Sequence, residues 1–486
     1  MRTRRIFILL LAALILSRCG EKKPQEEPPG ERVMVDVPAV NWENSIALVN
    51  ARESSDEANA ADDLLFESLS GSKQLKVYHP STASVPLAET QPDYVLEYDV
   101  EEKTDEHASR FLLTNADRDT LWQGDSEESI LTAVEEASHA VAAVVGHAPP
   151  KPSPTAALTP DLTRRFLEAE ALLSNPSRAE NEQAVLTLKE ILREAPEYAP
   201  AAAGLAEAYY NVIDKGWDRN LVWLRLAQEA ALNAVERDPT SSSAYVVLGK
   251  VHMKRGDFKQ AEQAFRRALD ANANLEDAWI GLGNVFSHYG LYEPSLDVYG
   301  NALALDPSNA DVTLSRAMIL IGLGRYDEAE AEIDRILRLH PDEKQYHTFK
   351  ALIKLYQDHV TAALDHVKIG LESQEYRAFS HAVRGMAYAK NQDLDKALYD
   401  LEVNVKPYVG TDASLATAVA AVYALIGQSG SAVQWLQEAV SMGYREYPWM
   451  NNDPNFKGLK KDERFQELLA NLKSEWEANM RQYSAL

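Results

Sequence analysis

A chain of 486 residues is too long for one compact core and implies several domains. Its composition is that of a globular protein, with 45% apolar and 25% charged residues, and its net charge of −25 argues against nucleic acid as a partner, because that binding depends on neutralising phosphates with Lys and Arg. The acidity argues equally against adhesion to anionic lipid by charge alone, and the single cysteine, Cys19, rules out an intramolecular disulfide.

Residues 1–5 (MRTRR) are basic, and Ile6 to Leu16 form an unbroken apolar run of about 11 residues. A bilayer-spanning helix needs about 20 apolar residues, so the run is predicted to be the core of a signal peptide. Leu16-Ser17-Arg18-Cys19 follows directly and resembles a bacterial lipobox, although Arg18 stands where a small residue is usual. The resemblance implies cleavage after residue 18 and lipidation of Cys19. The membrane would then be reached through a lipid anchor, in the cell envelope, and at the outer membrane if the cell has two, since Gly20 is not the aspartate associated with inner-membrane retention. Residues 19–32 are rich in Pro, Glu and Lys with no apolar side chain to bury, and read as a disordered tether.

Residues 33–147 carry about 23 acidic against about 6 basic side chains, roughly two thirds of the net charge. Ser45 to Asn50 and Leu75 to His79 read as strands, with a helical pattern over Asp56 to Leu69 between them. Tyr94 to Val100 and His107 to Thr114 alternate with period two, as an antiparallel pair does. Thr120 to Gly124 adds a short strand, and Glu127 to Val145 closes with an amphipathic helix. The segments IALVNARESSDEANAADD, DYVLEYDV and SILTAVEEASHAVAAVVG, in this order, resemble the TolB-like domain that precedes repeats in adenylate-cyclase-associated proteins. The resemblance implies a small α/β domain used for macromolecular contact, not catalysis. Residues 148–160 contain five prolines and mark a linker, because proline lacks the amide donor that a helix needs.

From residue 161 to 446 a 34-residue period takes over. Gly256, Gly290 and Gly324 are each 34 apart, and so are Ala261, Ser295, Ala329, Ala363 and Ala397, with Gly427 and Ala432 close to the same phase. Pro307 and Pro341 repeat the interval, and Pro196 and Pro239 close earlier units. Small residues let antiparallel helices approach closely, and proline stops the second helix. Glu276 to Asn309, with Leu282-Gly283, Phe286, Gly290, Ser295, Tyr299, Ala302 and Pro307, resembles a tetratricopeptide repeat. Eight units are expected: 165–198, 199–241, 242–275, 276–309, 310–343, 344–377, 378–411 and 413–446. The second is lengthened near Asp214 to Leu224, and the sixth and seventh carry Asp358 and Gln392 in place of the turn glycine. Residues 447–486 are expected to cap the stack. The fold class is therefore mainly α, a repeat solenoid preceded by a small α/β domain.

In the resembled family the first helix of each hairpin faces a groove. The matching positions here are Tyr210, Asn211, Lys250, Lys254, Asn284 and His288, a polar set, and Leu314, Met318, Ile321, Leu355, Tyr356, Phe379 and Met386, an apolar one. A solvated groove and a partner-binding one are both open for the polar set. For the apolar set the occupants are an amphipathic segment of a partner or the chain's own terminal helix, Glu463 to Asn479.

No phosphate loop, nucleophile elbow or zinc motif is present, and His359 and His366 lie about 10 Å apart on a helix, too far for one metal. Neither enzyme activity nor a cofactor or metal is expected. The sequence points to an envelope scaffold binding protein or peptide partners, with a ligand-sensing module built on the α/β domain as the alternative.

Overall fold

The computed structural model describes residues 44–50, 65, 69, 75–78, 92–103, 106–126, 130–145, 158–174, 176–410 and 412–484. Cys19, the signal peptide, the tether and most of the proline-rich linker lie outside the described residues. The described chain clusters into two compact units, one holding 44–285 and 300–308 and the other 286–299 and 309–484.

The first unit opens with a five-stranded sheet of order β2-β1-β3-β4-β5, formed by β1 (Asn44–Asn50), β2 (Leu75–Tyr78), β3 (Tyr94–Lys103), β4 (Glu106–Asn115) and β5 (Thr120–Ser126). β1 runs parallel to both β2 and β3, while β3, β4 and β5 are antiparallel neighbours with a register shift at Leu113/Thr114. Period-two patterning sends Leu96, Tyr98, Phe111 and Leu113 to a buried face, with Tyr98 stacked on Phe111. Helix α1 (Ile130–Val145) buries Ala133, Val134, Ala137 and Val141, one apolar stripe at helical spacing.

Helices α2 (Pro160–Leu173) to α7 (Phe258–Ala271) follow as hairpins: α2 with α3 (Arg178–Glu194), α4 (Ala199–Asp214) with α5 (Val222–Arg237), and α6 (Ser242–Arg255) with α7. Their starts are set locally. Thr159 accepts from the Leu162 amide at 3.3 Å, and Ser177 and Glu180 form a reciprocal capping box. The lengthened α4–α5 connection is held by Asp218, which accepts from Trp223 Nε1 at 2.9 Å. Phe265 of α7 fits against Gly249 and Gly281, where a Cβ would approach its ring to 2.5 and 2.2 Å. The sheet is tied to the repeats inside this unit: Asn274 accepts from the Val77 amide at 3.2 Å and donates to the Leu75 carbonyl at 3.0 Å.

Helices α8 (Glu276–His288) and α9 (Tyr292–Leu305) come next along the chain. The second unit continues with α10 (Ala310–Gly322) and α11 (Tyr326–Leu339), α12 (Tyr346–Tyr356) and α13 (Val360–Gly370), α14 (Arg377–Lys390) and α15 (Leu394–Tyr399), and α16 (Ala413–Leu425) and α17 (Ser429–Ser441). The repeating small residue is completely buried in every second helix from α7 onward: Ala261, Ser295, Ala329, Ala363, Ala397 and Ala432. Gly256, Gly290, Gly324 and Gly427 have positive φ at the inter-helix turn, and Asp358 and Gln392 adopt the same left-handed backbone (φ 63° and 62°) where glycine is missing. After α15 the chain enters a π-helical turn, Asp400–Val405, then a 3-10 turn containing Pro407, which has no amide to continue the helix.

The chain closes with α18 (Tyr447–Asn452), a 3-10 turn (Pro454–Leu459) and α19 (Glu463–Ser484). The fold is mainly helical with a small α/β region, as the patterning predicts.

Candidate partner-binding faces

The polar set of the first unit sits on the first helices of successive hairpins. Lys250 and Lys254 are one turn apart on α6, and each reaches an adjacent hairpin: Lys250 Nζ lies 2.5 Å from Asp277 and Lys254 Nζ 3.2 Å from Asp214. Tyr210 donates to Asp214 at 3.4 Å, and its ring lies 5.9 Å below the Lys254 ammonium. Burial works against the Lys250 charge, but Asp277, Glu207 and Asp214 outweigh it and raise its pKa; the Lys250 charge in turn lowers that of Asp277. Burial and the neighbouring carboxylates push the Tyr210 hydroxyl well above its usual range.

This face holds alternating charges in fixed places, and its acids remain accessible, Asp277 at 59% exposure. Asn211 is used internally, donating to Asn181 at 3.4 Å while Asn181 donates to the Ala208 carbonyl at 2.9 Å. Asn284 is half-buried on α8. His288 belongs to the second unit, where burial and then the charge of Arg445 lower its pKa to about 4. Sequence position alone could not pair Lys250 with Asp277 or Lys254 with Asp214, since each partner lies outside the positions read as groove-facing.

The apolar set is placed differently. Leu314, Met318, Ile321, Leu355, Tyr356 and Met386 are all buried, at 0–2% exposure, and Phe379 is half-buried against Phe349 with ring centroids 5.7 Å apart. These side chains are therefore packed within the second unit and not open to solvent. Part of the packing comes from the same chain, from the segment that precedes helix α19. Asn455 donates its amide to the Met386 sulfur at 4.0 Å, α18 packs on α10, and the Pro454–Leu459 turn packs on α16. Trp449, Met450, Phe456 and Leu459 of this covering segment are themselves buried at 0–1%. The driving force is removal of two apolar surfaces from water at once, about 25 cal/mol for each Å².

Carboxylates are trapped beneath the cover. Glu446 accepts from the Tyr292 hydroxyl at 3.2 Å, and burial raises its pKa to about 8. Asp453 caps the 3-10 turn through the Asn455 amide at 2.7 Å, and burial, against the opposing charges of Lys460 and Lys390, holds its pKa well above the carboxylate range. Glu446 ends the last expected unit and carries no motif, whereas Asp453 opens the Asp-Pro-Asn-Phe run at the start of the expected cap.

Two further polar clusters lie in the second unit. His347 and His366 meet through their Nδ1 atoms at 3.1 Å across the α12–α13 hairpin. Asp400 is buried and accepts from Arg384 Nε at 2.7 Å, with His381 Nδ1 at 2.9 Å. The adjoining cavity of about 280 Å³ is lined by Arg384, Tyr388, Lys396 and Tyr399. Among the described residues no group of three or more His, Cys, Asp or Glu could hold a metal ion, and no helix is long and apolar enough to cross a membrane.

Successive helical hairpins within each unit define a helical-repeat protein. Tetratricopeptide repeat models match residues 224–276 and 290–353, and over these residues the hairpins are tetratricopeptide repeats. Similar solved structures include a tetratricopeptide repeat protein from Parabacteroides merdae, at 18% identity over 56% of this chain and 99% of that one with a TM-score of 0.41. They also include YrrB, described as having an unusual peptide-binding site (20% identity, 40% and 95% coverage, TM-score 0.33), and PilF of Pseudomonas aeruginosa (18%, 42% and 92%, 0.36). Comparison with curated proteins finds no match.

Proposed function

We propose that this chain is a scaffold in the bacterial cell envelope, lipid-anchored through Cys19, whose repeats hold a protein or peptide partner. The observation that carries the binding role is the contrast between the two sets of first-helix residues. The apolar set is already covered, whereas the first unit keeps two charge pairs at its surface, exposed Asp277 with Lys250 and half-buried Asp214 with Lys254. A partner segment bearing both charges can exchange with these pairs, giving register and specificity more than raw affinity. The anchor and the envelope location are supported by the order basic segment, apolar run, Leu-Ser-Arg-Cys and proline-rich tether.

Two measurements test this. Intact mass of membrane-extracted protein should show an acyl increment that Cys19→Ala abolishes, and an unmodified chain overturns the anchor. A photo-crosslinking side chain at Lys250 should trap a discrete partner, salt-sensitively, while the same group at exposed Leu186 should not. Equal labelling at both sites overturns the binding face. A second reading, in which the α/β domain senses a ligand and relays it, is favoured by one feature: Asn274 of a repeat connection bonds the main chain of edge strand β2 on both sides.

A further inference from the structure

His347 and His366 close the open end of the α12–α13 hairpin. His347 stands in the first turn of α12 and His366 near the end of α13, so their contact lies at the opposite end from the connecting turn at 357–359. The Nδ1 atoms are 3.1 Å apart, and the ring centroids, at 5.3 Å, exceed that gap by no more than the two ring radii. Both nitrogens therefore lie on the line between the rings, whose planes are 15° apart. This is hydrogen-bond geometry: one imidazole donates Nδ1–H and the other accepts at a bare Nδ1. If both Nδ1 atoms carry a proton, two donors face each other and the bond is lost.

The surroundings oppose the second proton. The first turn of α12 exposes His347 to the positive end of a helix dipole. Lys350 and Lys354 of α12 act on the pair, and they engage the facing acids of α11: Lys350 pairs with Asp334, and Lys354 Nζ lies 2.6 Å from Glu330. On α13 itself Asp365 and Lys368 are exposed. On α14, packed against α13, the titratable groups are engaged elsewhere: Arg377 with the Leu371 carbonyl, His381 and Arg384 with Asp400, and Lys390 with Asp358. Burial, then the Lys350 charge, lowers the His347 pKa against the pull of Asp334. Burial, Lys350, His347 and Lys354 lower that of His366 against the same carboxylate.

We propose that the His347–His366 contact is an acid-operated joint: it pins α12 to α13 while the pair keeps one bare Nδ1, and it releases the open end of this hairpin once both rings are protonated. A singly protonated pair holds, because an imidazolium donating to a neutral ring makes a charge-assisted bond. The second proton removes the acceptor, and the freed imidazolium competes with Lys350 for Asp334, which carries the change to α11. Each helix of the hairpin has only 11 residues, about three turns, and depends on tertiary contacts to persist. Because the folded-state values lie below the ordinary 6.5, the contribution is present above pH 6.5 and is lost as pH falls toward the lowered values. This property stands independently of the anchor and of the Lys250 face.

The test uses the full mature chain. Hydrogen exchange read by mass spectrometry, corrected for the intrinsic pH dependence of amide exchange, should show α12–α13 losing about tenfold in protection between pH 7 and pH 5, beyond any change in α16–α17. Global opening cannot supply that loss, because the raised pKa of Glu446 makes the second unit more stable as pH falls. His347→Gln keeps a group able to bond His366 but takes up no proton, and it should abolish the excess. An equal response in the wild-type chain and the variant overturns the proposal. The wild-type chain gives a second readout with isotope-labelled histidine: the Cε1–H resonances of His347 and His366 should titrate in two coupled steps, the later one below 6.5. Two independent titrations at the ordinary value overturn the joint whatever the variant does.

Discussion

The Tyr292 hydroxyl donates to the Glu446 carboxylate at 3.2 Å, joining a hairpin turn to a residue 154 positions later in a site that water does not reach. Burial raises the Glu446 pKa from 4.5 to about 8, so the folded state holds a proton that the unfolded state releases near pH 4.5. The sign follows by linkage. The contribution is fully present below pH 4.5 and is lost as pH rises toward 8, and Asp453 is displaced in the same direction.

The urea midpoint of the second unit's unfolding should therefore fall between pH 5 and pH 8. Glu446→Gln should flatten that slope and raise stability at pH 8 by roughly 4 kcal/mol, at roughly 1.4 kcal/mol per pKa unit. An unchanged slope in the variant would locate the titration elsewhere.

Gln392 holds a left-handed backbone (φ 62°) at the turn where other units place glycine. Gln392→Gly should remove that strain and stabilise by about 1 kcal/mol, since side-chain-bearing residues are disfavoured there by about 1–2 kcal/mol. Differential scanning calorimetry checks this, and a lower melting temperature would contradict it.

Asp400 is 1% exposed and accepts from Arg384 and Asn404, with His381 Nδ1 also in contact. Although burial opposes ionisation, these bonds lower its pKa below 3.8, so its contribution is present at neutral pH and fades as pH falls through the lowered value. Asp400→Asn leaves Arg384 without its counter-charge and should cost about 3 kcal/mol at pH 7, less at pH 3. Equal losses at both pH values would argue that the carboxylate charge is immaterial.

Asn274→Ala should remove both bonds to β2 and destabilise by about 2 kcal/mol. Hydrogen exchange at the Val77 amide should accelerate more than exchange within β3 or β4. Uniform exchange would show that the sheet is not secured by this residue.

Much of the architecture was legible beforehand because it depends on local period. The 34-residue spacing of Ala261, Ser295, Ala329, Ala363 and Ala397 reports a steric need at each helix crossing, and all five are completely buried. Alternation over Tyr94–Thr114 likewise reports a pleated pair, seen in the β3–β4 register. Asp358 and Gln392 obscured two turns, because a glycine requirement can be met at an energetic cost by another residue once neighbouring helices dictate the turn.

The state of the candidate faces was not legible in this way. Met318, Tyr356 and Met386 were identified as one apolar set from helical position, but position cannot say what covers it. That depended on Asn455 returning to Met386 from 69 residues away, and no periodicity encodes so distant a contact. Lys250 and Lys254 were placed together by the groove positions that the repeat resemblance implies, yet their engagement by Asp277 and Asp214 arises only when separate hairpins pack. Sequence by itself determined the repeating unit, because a helix pair is stabilised by residues close along the chain. Tertiary structure alone decided which face is covered and which charges are paired, because burial and Coulomb energy depend on distance in space.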